Sequence, residues 1–326
     1  MKPFKFQQAS TAVEASRAHI DAAPDSRFIS GGTDILAEIK EGTLEVNTLV
    51  SLSGISGATD VVTTPDGLEI GALVTLSRIA SDPSIAETYT ALVQAAESVA
   101  TPQIRNVGTL GGNLCQRPRC WYYRSPLFNC TKKGGDECFA FGGDNKYHAI
   151  LGKGDCYIVH PSDVAVALTA LDATVVVSGE SGTDETPIGD FFVQPDVNVL
   201  AENVLQPGEF VSSVKIPRPA SGARSVYLKA KERQAYDFAL SSVAVSLGIR
   251  DGTIVHARVA LGGVAPVPYA VPHVDSALVG QKIQDVDAQA VGQLAVRDAK
   301  PLSDNGYKVK LTASMVARAV SQLLSE

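Results

Sequence analysis

Apolar and polar positions change their period several times along the chain, and each change marks an element. Thr11-Ala12-Val13-Glu14 has the spacing of a capping box, in which a hydroxyl and a carboxylate satisfy the open end of a helix, and it predicts a helix over 11–20. Arg27-Phe28-Ile29-Ser30 reads as a short strand that runs into Gly31-Gly32-Thr33-Asp34. The following Ile35-Leu36-Ala37-Glu38-Ile39-Lys40 has its apolar residues at helical spacing, so the unit is strand, glycine turn, helix. Further strands are predicted at Thr48–Leu52 and Leu68–Ala72, and a longer helix from Pro83 to Ala100 with proline in its first turn.

From Thr101 to Cys156 neither period persists, and Gly, Cys, Arg, Lys and aromatic residues dominate. A stretch this long without regular structure inside a folded protein requires a reason. Patterning returns at Pro161–Leu168, a predicted helix, and Ala173–Val177, a predicted strand. Pro217-Arg218-Pro219-Ala220-Ser221-Gly222 is the best linker. Beyond it, 226–229, 240–249 and 254–261 read as strands, and 284–298 and 310–324 as amphipathic helices. The expectation is an α+β chain in two domains, 1–219 and 223–326, with an irregular insertion over 115–158 in the first.

Composition narrows the function classes. At 326 residues and 45% hydrophobic content the chain can bury a full core. A formal charge of −7 and a pI near 5.3 do not provide the basic surface that neutralises phosphate backbones, so nucleic acid is not an expected partner. No apolar run has the length of a membrane span and the first residues carry no export signal, which makes the cytoplasm the default compartment. Co-export to the periplasm with a signal-bearing partner is the alternative.

All five cysteines fall between positions 115 and 156. Clustering within one segment of a large chain favours metal ligation over a disulfide framework. The ligand candidates are Cys120, Cys130, Cys138 and Cys156. Paired C-x2–4-C knuckles, usual for structural zinc, are absent, whereas an iron–sulfur cluster needs four thiolates around a larger core and tolerates irregular spacing. Both metals stay open on spacing alone. Arg117, Arg119, Arg124, Lys132 and Lys133 lie among the cysteines, where they either favour thiolates or simply solvate a loop. Cys115 reads as a buried thiol beside Leu114, and His148 as a packed loop histidine.

The turns Ile29-Ser30-Gly31-Gly32-Thr33-Asp34 and Asn106-Val107-Gly108-Thr109-Leu110-Gly111-Gly112-Asn113 could each cradle a phosphate, because glycine lets backbone N–H groups approach an anion. The helix beginning at Ile35 would add its positive end. Neither turn has the Rossmann or P-loop spacing, and plain tight turns are the competing reading.

Together with His160-Pro161-Ser162-Asp163, these turns resemble the FAD-binding medium subunits of the xanthine dehydrogenase/molybdenum hydroxylase family, in order and approximate spacing over essentially the whole chain. The stretch Lys231–Leu240 resembles the opening of that family's C-terminal flavoprotein domain. The resemblance implies a two-subdomain FAD-binding domain of PCMH type followed by a CO-dehydrogenase-flavoprotein-like α+β domain. The cysteine insertion is similar to the [4Fe-4S] loop of aldehyde oxidoreductase flavoprotein subunits and of the 4-hydroxybenzoyl-CoA reductase medium subunit, with Cys120, Cys130, Cys138 and Cys156 at the ligand positions.

For FAD, the resemblance implies Ile29, Ser30, Gly31, Gly32, Thr33, Asp34 and Ile35 at the pyrophosphate. Thr109, Gly112 and Asn113 would stand on the cofactor's second side, Ser162 and Asp163 at ribityl or phosphate groups, and Lys229 and Tyr236 near the flavin ring. It implies an electron-transfer oxidoreductase subunit with no acid/base residue of its own. Its partners would be a large subunit with a molybdenum cofactor, a small subunit with [2Fe-2S] centres, and an external acceptor such as a ferredoxin, a quinone or oxygen. An aldehyde oxidoreductase is the expected complex, a 4-hydroxybenzoyl-CoA reductase-like enzyme is one alternative, and a colourless, zinc-stapled interaction subunit is the alternative of another class.

Overall fold

The structure is a computed structural model and describes residues 2–325. Its first sheet is parallel, with β1 (Lys5–Gln8), β2 (Ser26–Ile29) and β3 (Thr48–Ser51) in the order β1-β3-β2. Parallel neighbours cannot be joined by a tight turn, so helices Ala12–Asp21 and Ile35–Glu41 fill the connections. The Thr11 hydroxyl accepts from the Glu14 N–H at 3.1 Å, as the capping box requires. The Glu14 carboxylate, however, reaches back to the Ser10 N–H at 2.8 Å rather than to Thr11.

The second sheet is antiparallel and contains β4 (Val61–Thr64), β5 (Gly67–Gly71), β6 (Thr174–Gly179), β7 (Gly182–Pro187) and β8 (Phe210–Pro217), in the order β4-β5-β8-β6-β7. The central strand, β8, has no counterpart in the sequence reading. Opposite Val176 and Val177 its register shifts from Ser213 to Val211, which leaves Ser212 as a bulge and breaks the period of two. The helix expected over Pro83–Ala100 is two helices, Pro83–Thr88 and Thr90–Ser98. They part at Tyr89, which leaves helical geometry (φ −124°, ψ 53°) and is buried in the core.

The third sheet is also antiparallel, β9 (Ala223–Ala230), β10 (Ser241–Arg250), β11 (Thr253–Gly262) and β12 (Tyr269–Ala270), in the order β12-β11-β10-β9. Strand β10 is covered on both faces. Val243, Val245 and Leu247 pack with Val316, Ala319, Val320 and Leu323 of helix Tyr307–Ser325, each large aliphatic side chain contributing about 1.5–3 kcal/mol. The small Ala244 and Ala260 instead admit Ala91 and Ala95 of helix Thr90–Ser98 and Val166, Ala167 and Ala170 of helix Asp163–Ala170. A side chain at Gly262 would collide with Val166, so this approach of helix to sheet depends on glycine. Of the helix expected over 284–298, only Ala288–Ala295 forms, after a 3-10 turn at Ile283–Asp285.

The cysteine segment contains only the short helices Trp121–Arg124 and Phe139–Gly142 and a 3-10 turn at Thr131–Lys133, yet it is tied down on three sides. The Lys132 ammonium, nearly inaccessible, meets the Glu202 carboxylate at 2.7 Å. Arg124 meets Asp34 at 2.7 Å on the first helical layer. On the C-terminal side, Asn305 donates to the carbonyls of His148 and Ala149 at 3.2 and 3.1 Å, and Lys308 to those of Tyr147 and Gly263, both at 2.7 Å. Among the described residues no helix is long and apolar enough to cross a membrane.

Candidate flavin and cysteine site

The two glycine turns, 79 residues apart, are adjacent in space. The hydroxyls of Ser30 and Thr109 lie 2.9 Å from each other. Gly31 packs so closely on the Val107 carbonyl that a β-carbon there would clash, and Gly32 has a φ of +71° that disfavours other residues. Among the described residues, the backbone N–H groups of Gly31, Gly32, Thr33, Asp34 and Ile35 meet no hydrogen-bond acceptor. A run of five such donors at the mouth of a helix is the arrangement that a pyrophosphate satisfies.

On the second turn, Thr109 caps the short helix Leu110–Leu114 by accepting from the Gly112 N–H at 3.3 Å. Asn113 accepts a short hydrogen bond from the buried Ser162 hydroxyl. Ser162 also caps helix Asp163–Ala170 by accepting from the Ala165 N–H at 3.0 Å, so Ser30, Thr109, Asn113 and Ser162 mark a continuous path.

That path ends at a pocket of about 410 Å³. Pro161, Ser162 and Asp163 supply one part of its wall, Phe238, Ala239, Leu240 and Ser242 another, and Arg119, Cys120, Trp121, Tyr147 and His148 of the cysteine segment a third. Arg119 lies over the Phe238 ring at 5.2 Å. The Ser242 hydroxyl and His148 Nδ1 are buried without a partner among the described residues. His160 Nε2, also in the wall, is a third such group, and an apolar and aromatic wall with a few convergent polar groups, three of them unpaired, fits a flavin ring.

Several expected contacts are placed differently. The Asp34 carboxylate does not face a cofactor: Arg119 and Arg124 pair with it at 2.5 and 2.7 Å and the Arg117 N–H donates to it at 2.6 Å, which leaves its backbone N–H. Lys229, expected near the ring, lies outside the pocket wall, bonded to Asp163 at 2.7 Å and to the Ser98 carbonyl at 3.1 Å. Tyr236 is 63% exposed with a φ of +53°, and its neighbours Asp237 and Phe238 line the pocket instead. The Asp163 carboxylate, though in the wall, is held by Lys229 and the Tyr227 hydroxyl.

The basic residues of the insertion are likewise committed to carboxylates and carbonyls. Arg117 and Lys132 pair with Glu202, and Lys133 donates to the Ser125 carbonyl at 2.6 Å. Burial accordingly dominates the Cys120 thiol and pushes it up to about 11; it pushes Cys115, packed against the core, up to about 12. A hydrogen bond between Cys138 and Cys156 draws the former down to about 6 and the latter up. Among the described residues no three His, Cys, Asp or Glu side chains form a set that could hold a metal ion. Neither zinc nor an iron–sulfur cluster thus meets a preassembled donor set, and what the segment offers is four thiols on one anchored stretch, the donor type that iron–sulfur clusters use.

Trp121 escaped the site reading, although the chain's single tryptophan beside Cys120 was a usable signal, and His148, read as a packed loop histidine, lines the pocket. Burial first, then the Lys308 ammonium, pulls the His148 imidazole down to about 4, so it is neutral.

Residues 2–219 match the family described as the FAD binding domain in molybdopterin dehydrogenase, and residues 226–323 the CO dehydrogenase flavoprotein C-terminal domain. The chain is 35% identical to the aldehyde oxidoreductase FAD-binding subunit PaoB of Escherichia coli K12, over 99% of this chain and all of that one. It is 25% identical to the carbon monoxide dehydrogenase medium chain of Hydrogenophaga pseudoflava, over 98% of this chain and 96% of the relative. The carbon monoxide dehydrogenase structure from the same organism superposes with a TM-score of 0.80 at 22% identity, covering 100% of this chain and 99% of that one. The fold is therefore that of these flavoproteins, and the chain belongs to the FAD-binding, medium-subunit family of the molybdenum hydroxylases.

Proposed function

We propose that this chain is the electron-transfer subunit of an aldehyde oxidoreductase complex, carrying FAD together with one [4Fe-4S] cluster on Cys120, Cys130, Cys138 and Cys156. The carrying observation is the path from the uncommitted N–H groups of Gly31–Ile35 through Ser30, Thr109, Asn113 and Ser162 to a pocket whose far wall includes Cys120. In this reading the N–H groups and the Thr33 hydroxyl hold the pyrophosphate, and Gly112 lets the backbone approach it. Ser162 and Ser242 bond the polar edges of ribityl and ring, while Trp121, Phe238 and Leu240 exclude water from its faces.

When bound, FAD supplies the exchange between two-electron and one-electron chemistry. Substrate oxidation belongs to a molybdenum-cofactor subunit, and [2Fe-2S] centres on a small subunit deliver the electrons. An external acceptor, such as a ferredoxin, a quinone or oxygen, takes them up. End-to-end identity with an aldehyde oxidoreductase subunit supports aldehyde as the substrate class. The proposed units are 1–219, with the insertion at about 115–158, and 223–326.

The test is anaerobic purification with a visible spectrum and assays of flavin, iron, acid-labile sulfide and zinc, on wild type and Cys138→Ser. Flavin with about four irons per chain, lost in the variant, is expected. Flavin without iron reduces the insertion to a structural loop, and zinc without flavin overturns the reading.

A further inference from the structure

Of the four cysteines, Cys120 alone lines the 410 Å³ pocket among the described residues; Cys138 lines a separate outer groove with Tyr122, Phe139, Phe141 and Tyr157. His148 stands beside Cys120 in the pocket wall, its Nε2 3.2 Å from the sulfur. The imidazole is fixed by its surroundings. Trp121 meets it edge-on with ring centroids 5.4 Å apart, Tyr122 lies at 6.1 Å, and the His148 carbonyl accepts from Asn305 at 3.2 Å.

Nδ1 has no partner among the described residues, and the nearby Asn145 carbonyl already accepts from the His148 backbone N–H at 2.9 Å. A ligating thiolate can only accept, and Nε2 is the ring nitrogen that faces the Cys120 sulfur. With a thiolate at Cys120, the proton therefore belongs on Nε2, where it makes an N–H···S bond.

We propose, resting on the cluster reading above, that His148 is a positioning residue for that cluster. Its Nε2–H holds the Cys120 sulfur against the flavin pocket, which makes Cys120 the corner through which electrons pass between pocket and cluster. Each transfer moves one electron, with the flavin oxidised by one and the cluster reduced by one. No bond forms or breaks, and the imidazole keeps its proton. Because a hydrogen bond to a ligating sulfur favours the more negative state, His148 raises the cluster's reduction potential.

The experiment is a redox titration of the intact complex followed by electron paramagnetic resonance, in wild type, His148→Leu and His148→Gln, with iron counted in each. His148→Leu is expected to shift the one-electron equilibrium of the [4Fe-4S] centre about tenfold toward the oxidised form, about 59 mV. His148→Gln, which keeps an N–H, should recover at least half of the shift, with the [2Fe-2S] potentials unmoved. An unchanged potential in an iron-replete His148→Leu overturns this inference and leaves the cluster reading intact. A wild type without iron overturns both. If His148→Leu does not retain iron, nitrogen-15 labelling of histidine in the wild type decides: a weak nitrogen coupling to the reduced cluster in pulsed resonance supports the bond, and its absence overturns it.

Discussion

The Lys229 ammonium and the Asp163 carboxylate meet at 2.7 Å with only 3% and 6% of their side chains exposed. The pair joins β9 of the third sheet to the first turn of the helix whose N-terminus frames the pocket. Tyr227, two residues along the same strand, donates its hydroxyl to the other carboxylate oxygen. Lys229 thus shapes the pocket by holding its wall from behind.

Breaking this pair should be costly, because the remaining charge stays buried without compensation. Lys229→Met is expected to destabilise the protein by about 3–5 kcal/mol, and the double variant Lys229→Met/Asp163→Asn by clearly less. Denaturant unfolding of the three proteins checks this, and equal losses in the single and double variants would refute it.

Gly31→Ala places a methyl group against the Val107 carbonyl where the glycine turns touch. Forcing the turns apart should cost about 1–3 kcal/mol and lower flavin retention at least tenfold. The flavin-to-protein ratio after gel filtration measures the effect, and full retention would contradict the cradle assignment.

Burial holds the Lys308 ammonium down at about 7, against 10.5 for the free side chain. Between these pH values the unfolded chain binds a proton that the native chain does not, so this residue's contribution to stability rises as pH increases from 7 to 10.5. Below about 7 both states are protonated and the slope vanishes. The stability of wild type relative to Lys308→Met should therefore climb across this window in denaturant titrations, and a flat difference would rule it out.

Lys132 anchors the middle of the cysteine segment through Glu202 and the Ala201 carbonyl, its side chain 1% exposed. In Lys132→Met, Glu202 keeps only Arg117, and amide exchange over residues 128–139 should accelerate while the third sheet is unaffected. Hydrogen-exchange mass spectrometry reads this directly, and unchanged protection in the segment would place the anchor elsewhere.

Much of the order of elements was legible from local pattern. The first glycine turn is flanked by strand and helix as its spacing predicts, and the irregular cysteine stretch contains no strand. The reading failed where a local signal was interrupted or overruled. The Ser212 bulge hid β8, and Tyr89 broke a helix because its side chain enters the core. Lys229 and Tyr236, which the resemblance singles out, do not line the pocket, whose wall includes Phe238 and Ser242.

By itself, the sequence determined the candidate residue types: two glycine turns and a Ser-Asp helix start, each encoded within a few neighbouring positions, and four cysteines within one segment. Only the tertiary structure decided which of them meet. It brought Ser30 to Thr109, Ser162 to Asn113 and His148 to Cys120, and turned Asp34 and the insertion's basic side chains toward one another or toward Glu202. Such contacts join residues far apart in the chain, and they are set by packing and by the cost of burying an unpaired charge, neither of which leaves a periodic trace in the sequence.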